Sequence, residues 1–311
     1  MKTSYKQIRI YRAFINWLNA HFPVMLAKLR FRKMFGRTLD LKNPKDINEK
    51  ILWLSLYSDI SEWTRLADKY AVREYVKGAG LGRYLVPLYG KWDKAEDIDW
   101  ESLPDSFVMK TNNGSGTVLI VNNKNSLEKE QTTKLLDNWL KTDIAASTTE
   151  FQYADIKPCI IAEELLDFTK DANKSSSAID YKIWCFNGEP HYIWACKNRV
   201  VGQHTEVALF DLEWNYLPEK SIFNEHYREQ EKLVTKPKNL DEMIKVAKTL
   251  SKPFPVVRVD LYNINGRIYF GEMTFTSLGG TMDFYTPECL LEMGSMIDIS
   301  GVKKVRHIHS L

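Results

Sequence analysis

Hydrophobic spacing changes period several times along the chain, and the changes divide it into helical and strand-like stretches. In residues 1–39 Ile8, Ile10, Tyr11, Phe14, Ile15, Trp17, Leu18, Phe22, Met25, Leu26, Leu29 and Phe31 interleave with Lys2, Lys6, Arg9, Arg12, Lys28, Arg30, Arg32, Lys33 and Arg37, without one Asp or Glu. This predicts basic amphipathic helices, able either to rest on anionic lipid or an acidic polymer or to pack one side on the domain. Residues 44–57 have helical spacing after an Asn-Pro start. Residues 62–76 continue it until Gly78, Gly80 and Gly82 break the pattern.

Strand signals follow. Residues 85–90 read as a strand, 93–103 as a polar connection, and 107–121 as two strands about a glycine-rich turn. A helix is expected over 126–141 with Ser126 as its cap. An apolar run at 160–166 carries two glutamates, and 168–178 is polar enough to be a mobile loop. Strands are expected at 179–186, 191–196 and 207–212, and a helix at 240–250.

The stretch FPVVRVDLYNINGRIYFGEMTFTSLGG, residues 254–280, reads as two strands around a turn supplied by Asn263, Asn265 and Gly266. Arg258 and Asp260 share one face, and so do Glu272 and Thr274. An odd-length loop centred near Gly266 would set Asp260 opposite Glu272, close enough for both carboxylates to hold one hard cation such as Mg²⁺. Two acids on a solvated strand face would equally bind nothing. Their apolar neighbours Val256, Val257, Val259, Leu261, Ile268, Tyr269 and Phe270 are typical of strands covered on both faces, where a charge needs a partner.

A chain of 311 residues is long enough for two or three lobes. Its net charge of +3 is too small to argue for nucleic acid. Cys159, Cys185, Cys196 and Cys289 lack CxxC spacing, so zinc is not expected and buried reduced thiols are, as in a cytoplasmic protein. No signal peptide and no membrane-spanning run is evident. His307 and His309 read as a frayed tail.

A second segment carries chemistry. In FVMKTNNGSGTV, residues 107–118, a strand ending in Lys110 runs into Asn112, Asn113, Gly114, Ser115 and Gly116 before a strand resumes. Small residues let backbone N–H groups approach phosphate oxygens while Lys110 supplies a point charge; the Walker spacing is absent, and a plain structural turn would have the same composition.

Taken in order, Asp68-Lys69, FVMKTNNGSG, Glu163 and Glu164 in IIAEELL, Asp180 and Lys182 in DYKIWCFNG, and RVDLYNINGRIYFGEMTF resemble the ATP-grasp superfamily, specifically its TupA-like branch, named for teichuronopeptide biosynthesis. The resemblance covers residues 40–283. It implies an α+β, ATP-grasp fold, two lobes sandwiching ATP, with a helical N-terminal region at 1–67, a small lobe with lid and hinge at 68–166, and a large lobe with the metal hairpin at 167–311.

It also implies roles. Lys69 and Lys110 would neutralise phosphate charge under a lid of Asn113, Gly114, Ser115 and Gly116. Glu163, Glu164 and Leu166 would bracket adenine, and Asp180 and Lys182 would take ribose and phosphate. Asp260, Glu272 and Thr274 would hold Mg²⁺, Thr274 being a weaker ligand than the family's usual Asn. Arg258 would bind the transferred phosphoryl, with Lys182 also catalytic; Lys197 and Arg199 could reach the γ-phosphate. The implied reaction is ATP-dependent amide formation between a carboxylate and an amine through an acyl phosphate, joining an amino acid to a carboxylate-bearing glycan or polymer of the cell surface. A sugar kinase using the same cleft, and a nucleotide-binding scaffold for surface-polysaccharide assembly, stay open. A cytoplasmic location follows, at the inner face of the membrane if the basic segment binds lipid.

Overall fold

The computed structural model describes residues 14–15, 17–19, 21–114, 116–142, 150–169, 173–200 and 202–305. Helices come first: α1 (Pro23–Phe35), α2 (Ile47–Tyr57), α3 (Ser61–Ala67) and α4 (Val72–Gly78). Pro23 starts α1, where its missing N–H costs nothing, and Gly36 ends it in the left-handed region at φ 67°. At α2 the Asp46 carboxylate accepts from Glu49 N–H at 2.9 Å while Glu49 Oε2 accepts from Asp46 N–H at 3.4 Å, a reciprocal cap to which Arg37 adds ion pairs. The continuous helix expected over 62–76 is broken, because Asp68 Oδ1 accepts from Tyr70 and Ala71 N–H at 2.7 and 3.1 Å and restarts the chain as α4. Lys69 therefore sits at a corner.

Two sheets follow. The smaller has the order β1 (Leu88–Trp92), β4 (Ile160–Glu163), β2 (Phe107–Thr111), β3 (Val118–Val121), all antiparallel. Helix α5 (Lys129–Leu140) packs on it through Thr132 and Leu136. The cap expected at Ser126 is absent, since Lys124–Ser126 form a separate 3₁₀ turn closed by the Asn123 side chain. The larger sheet contains β5 (Asp180–Phe186), β6 (Glu189–Val200), β7 (His204–Phe210), β8 (Tyr227–Glu229), β9 (Val256–Ile264) and β10 (Arg267–Thr274), ordered β10-β9-β5-β6-β7-β8 with β7 and β8 parallel. Helix α6 (Leu240–Ser251) covers one face with Leu240, Met243, Val246, Ala247 and Leu250, and α7 (Pro287–Ser295) follows the last strand. Strand β8 and helix α7 have no counterpart among the expected elements.

The β9–β10 hairpin corrects one detail while keeping its outcome. The turn has two residues, Asn265 and Gly266, both at positive φ (52° and 82°), so Ile264 pairs with Arg267. That register alone would misalign the acids. A bulge at Gly271 adds one residue to β10, and beyond it Glu272 faces Asp260. The expected odd-length loop is thus an even turn plus a bulge. A Cβ at Gly271 would lie 3.0 Å from the Asp260 carbonyl oxygen, a close approach that favours glycine at the bulge.

Helices α2 and α3 share one core with the large sheet. The buried Asn48 side chain brackets the Met282 backbone, donating to its carbonyl at 3.1 Å and accepting from its N–H at 3.0 Å, and Trp63 stacks on Phe275 at 5.0 Å. These contacts hold the segment after β10 in place. Among the described residues, no helix is long and apolar enough to cross a membrane. All four cysteines are buried and free. His307 and His309 lie outside the described residues.

Candidate functional site

Asn263 donates to Met243 Sδ and Asn239 Oδ1 on the α6 side, which puts the odd-numbered side chains of β9 under that helix. Period two then turns Arg258 and Asp260 to the other face, where β5 presents Asp180 and Lys182. Here the site is built. Lys182 Nζ lies 2.5 Å from both Asp180 Oδ2 and Asp260 Oδ2. Arg258 grips Asp260 with two bonds, Nε to Oδ1 at 2.7 Å and Nη2 to Oδ2 at 2.8 Å. Its Nη1 donates to Ser277 Oγ at 2.8 Å and its Nη2 to Thr274 Oγ1 at 3.1 Å, and Thr274 in turn donates to Glu272 Oε1 at 3.3 Å. Glu272 keeps 42% of its side chain exposed, against 2% for Asp260.

Charge states follow from these partners. Burial works against the Asp260 carboxylate, yet Arg258 and Lys182 outweigh it and hold its pKa below the ordinary value. Burial opposes the charge of Lys182 too, and Asp180 and Asp260 more than restore it. Asp180 goes the other way: burial raises its pKa, and Oδ1 is buried with no hydrogen-bond partner. An orphaned acceptor at the inner edge of a cationic cluster fits a ligand hydroxyl. Arg199 reaches the same carboxylate at 3.8 Å. Lys197 does not join the cluster; its ammonium donates to the Lys232 carbonyl and lies 3.4 Å from Glu206. Two residues apart, Lys197 and Arg199 would share a face of a regular strand, but β6 is irregular between Lys197 and Val200 and Asn198 has φ 49°, a kink that period-two spacing does not announce.

The small sheet supplies the other side. Lys69 N–H donates to the Asn112 carbonyl at 3.2 Å, and its ammonium donates to the Gly114 carbonyl. Burial pulls the Lys69 pKa down, with Glu272 opposing and Lys110 reinforcing that shift, so the corner lysine stands between the two sheets' charges. Lys110 pairs with Glu163 Oε2 at 2.8 Å and Arg73 with Glu163 Oε1 at 3.0 Å. The expectation that the Glu163 carboxylate accepts from adenine meets a geometry in which both oxygens already hold cations. Arg73 was not foreseen, being one of several charges on a short helix.

The turn after Lys110 is anchored at its base: Thr111 and Thr117 hydroxyls meet at 2.6 Å, Asn112 spans Lys157 and Cys159, and Asn113 Nδ2 donates to the Thr142 carbonyl at 3.4 Å. Gly116 has φ 82° and open space around it. Ser115 lies outside the described residues. Past the hinge, Glu164 N–H donates to the Pro87 carbonyl at 3.0 Å, and Leu166 joins Val86, Phe168, Tyr262, Ile264 and Tyr269 in an apolar cluster beside the hairpin. Tyr262 shares the face of Asp260, a position the alternation of β9 could have flagged.

A segment with no sequence signal also reaches the site. In Phe151–Tyr153 the buried Gln152 donates to Thr276 Oγ1 at 2.6 Å, and its Oε1 is a buried acceptor without a partner. Burial pushes the Tyr153 phenol well above its ordinary pKa, with Glu272 and Glu150 adding to the effect.

Among the described residues no three of His, Cys, Asp and Glu form a metal-ligand group. Of the two carboxylates paired in register on adjacent strands, Glu272 is open to a magnesium ion, whereas Asp260 would join it by giving up a bond to Arg258 or Lys182.

The two antiparallel-rich sheets with their flanking helices make an ATP-grasp architecture. The chain belongs to the TupA-like ATP-grasp family, which it matches over residues 49–298. ATP binding is what membership of that family implies. Solved structures similar to it include D-alanine–D-alanine ligase from Bacillus anthracis, with 17% identity, a TM-score of 0.47, and 81% of this chain and 74% of that one covered. Another is an L-amino acid ligase from Bacillus licheniformis, at 13% and 0.46, covering 85% and 57%. A third is biotin carboxylase from Campylobacter jejuni, at 12% and 0.42, covering 80% and 51%. This chain therefore spans little more than half of the latter two. No curated protein matches the sequence.

Proposed function

We propose that the protein is an ATP-dependent carboxylate-amine ligase that joins an amino acid to a carboxylate-bearing glycan or peptide-like polymer of the cell surface. The observation that carries this is the fixed guanidinium of Arg258, locked by both Asp260 oxygens and by Ser277 beside the half-open Glu272. A cation held that way needs no reorganisation as charge develops on a transferred phosphoryl group. Asp260, Glu272 and Thr274 would hold Mg²⁺, which supplies charge neutralisation on the phosphates.

Lys69, Lys110 and Lys182 bind phosphate oxygens in this reading. Asp180, with its unpartnered Oδ1, accepts from a ribose hydroxyl, and the apolar cluster of Leu166, Tyr262, Ile264 and Tyr269 walls the purine. Glu163 orients Lys110 rather than touching the base, and Glu164 and Leu166 contribute backbone. An acceptor carboxylate oxygen attacks the γ-phosphorus, and the bond to the ADP oxygen breaks. An amine nitrogen then attacks the acyl carbon, the bond to phosphate breaks, and the amine proton leaves to solvent. The side chains position, neutralise and exclude water, since the acyl phosphate would otherwise hydrolyse. The glycine turn with Asn113, Gly114, Ser115 and Gly116 serves as cover.

Incubation with Mg-ATP, uronate-bearing acceptors and amino acids, followed by ³¹P NMR and mass spectrometry, tests the reading. Amine-dependent release of phosphate with an amide product is expected. Phosphate retained on the acceptor would make the protein a kinase, and bound nucleotide without turnover would make it a scaffold.

A further inference from the structure

We propose that the outward face of α1 docks on an anionic lipid surface. The inward face explains itself: Ala27 and Phe31 are buried in the main core, and Leu26 is buried beside them in sequence. Another side stays open to solvent. Phe22, Met25 and Leu29, spaced to share one helix face, are 47%, 43% and 55% exposed, and Phe14 and Trp17 before them are 53% and 49% exposed. Trp17 stacks on His21 at 5.0 Å and leans on Phe22 at 5.5 Å, forming an aromatic knot at one end of the stripe. Such side chains gain from the boundary between headgroups and acyl chains.

Charge selects the occupant. Lys28, Arg32 and Lys33 flank the stripe, exposed and with no acidic partner among the described residues. Residues 1–39 contain nine Lys and Arg and no acid, although Lys2, Lys6, Arg9 and Arg12 lie outside the described residues. A second copy on this face would set basic rows against basic rows. A soluble polyanion would satisfy the charges and leave the apolar stripe in water. An anionic bilayer satisfies both. The helix also lies outside the family match, which begins at residue 49. With no described helix able to span, it lies on the surface.

Co-sedimentation with phosphatidylcholine vesicles, with and without phosphatidylglycerol, decides. Binding is expected only with the anionic lipid and should weaken as salt rises. The triple change Lys28→Gln, Arg32→Gln and Lys33→Gln should lower partitioning by roughly 100-fold, and Met25→Ser with Leu29→Ser by about tenfold. Thermal melting and ATP turnover in solution should be unchanged in both, so a failure of the ligase reading would leave this result intact. Absence of binding to anionic vesicles would overturn the proposal. So would lipid binding indifferent to Met25→Ser with Leu29→Ser, or a dimer in sedimentation equilibrium that this variant dissolves.

Discussion

The two sheets hold their charges in opposite ways. On the large sheet Asp260, Lys182 and Arg258 have side chains only 2%, 8% and 11% exposed, and each is gripped by at least two others. On the small sheet Lys110 is 25% exposed and has one acidic partner, and Lys69, at the helical corner beside that sheet, leans on a carbonyl of the glycine turn. The first is a fixed lattice of charge whose members cannot be removed singly without exposing a buried partner. The second is a pair of cations whose present contacts can be exchanged for phosphate. One side is built for position and the other for capture.

Substitutions can break that contrast. Asp260→Asn should be most severe, abolishing detectable ATP turnover and costing about 3–5 kcal/mol in urea unfolding, because Arg258 and Lys182 would face each other without their shared anion. The pH dependence carries the same signature. Asp260 has a folded pKa below its unfolded value of 3.8, so its contribution is complete above that value and is lost as pH falls through the folded pKa. Wild type should lose this increment in acid, and Asp260→Asn should not.

Glu272→Gln sharpens the point, since Glu272 faces Asp260 yet is half-exposed. Turnover should fall by about 100-fold or more if it holds the metal, while stability moves by less than about 0.5 kcal/mol. A large stability loss would place Glu272 in the buried lattice instead. Lys110→Met should weaken nucleotide binding about tenfold in calorimetry, roughly 1.4 kcal/mol, with Glu163 still held by Arg73. The smallest effect is expected from Gly271→Ala. Its Cβ would press the Asp260 carbonyl, costing about 1 kcal/mol and lowering turnover a few-fold by shifting the register.

Much of the large sheet was legible because its strands follow period two and its buried runs are long. The hairpin could be read as far as the pairing of Asp260 with Glu272, though not the means, since a bulge at Gly271 and an odd-length loop leave the same trace in a sequence. Helix breaks were less legible: Asp68 ends one helix and caps the next through its own side chain, a local competition that apolar spacing does not register. Glu163 illustrates a third limit, because its cations come from β2 and from α4, distant in sequence and joined only by the fold. The segment around Gln152 carried no periodic signal, and its contact with Thr276 spans 124 residues.

Convergence of both sheets upon one triphosphate is the central claim. A crystal structure with a non-hydrolysable ATP analogue and magnesium tests this directly. Lys69, Lys110 and Lys182 are expected on phosphate oxygens, with the ion between Asp260 and Glu272. Nucleotide bound elsewhere, or phosphates that avoid the hairpin, would contradict it.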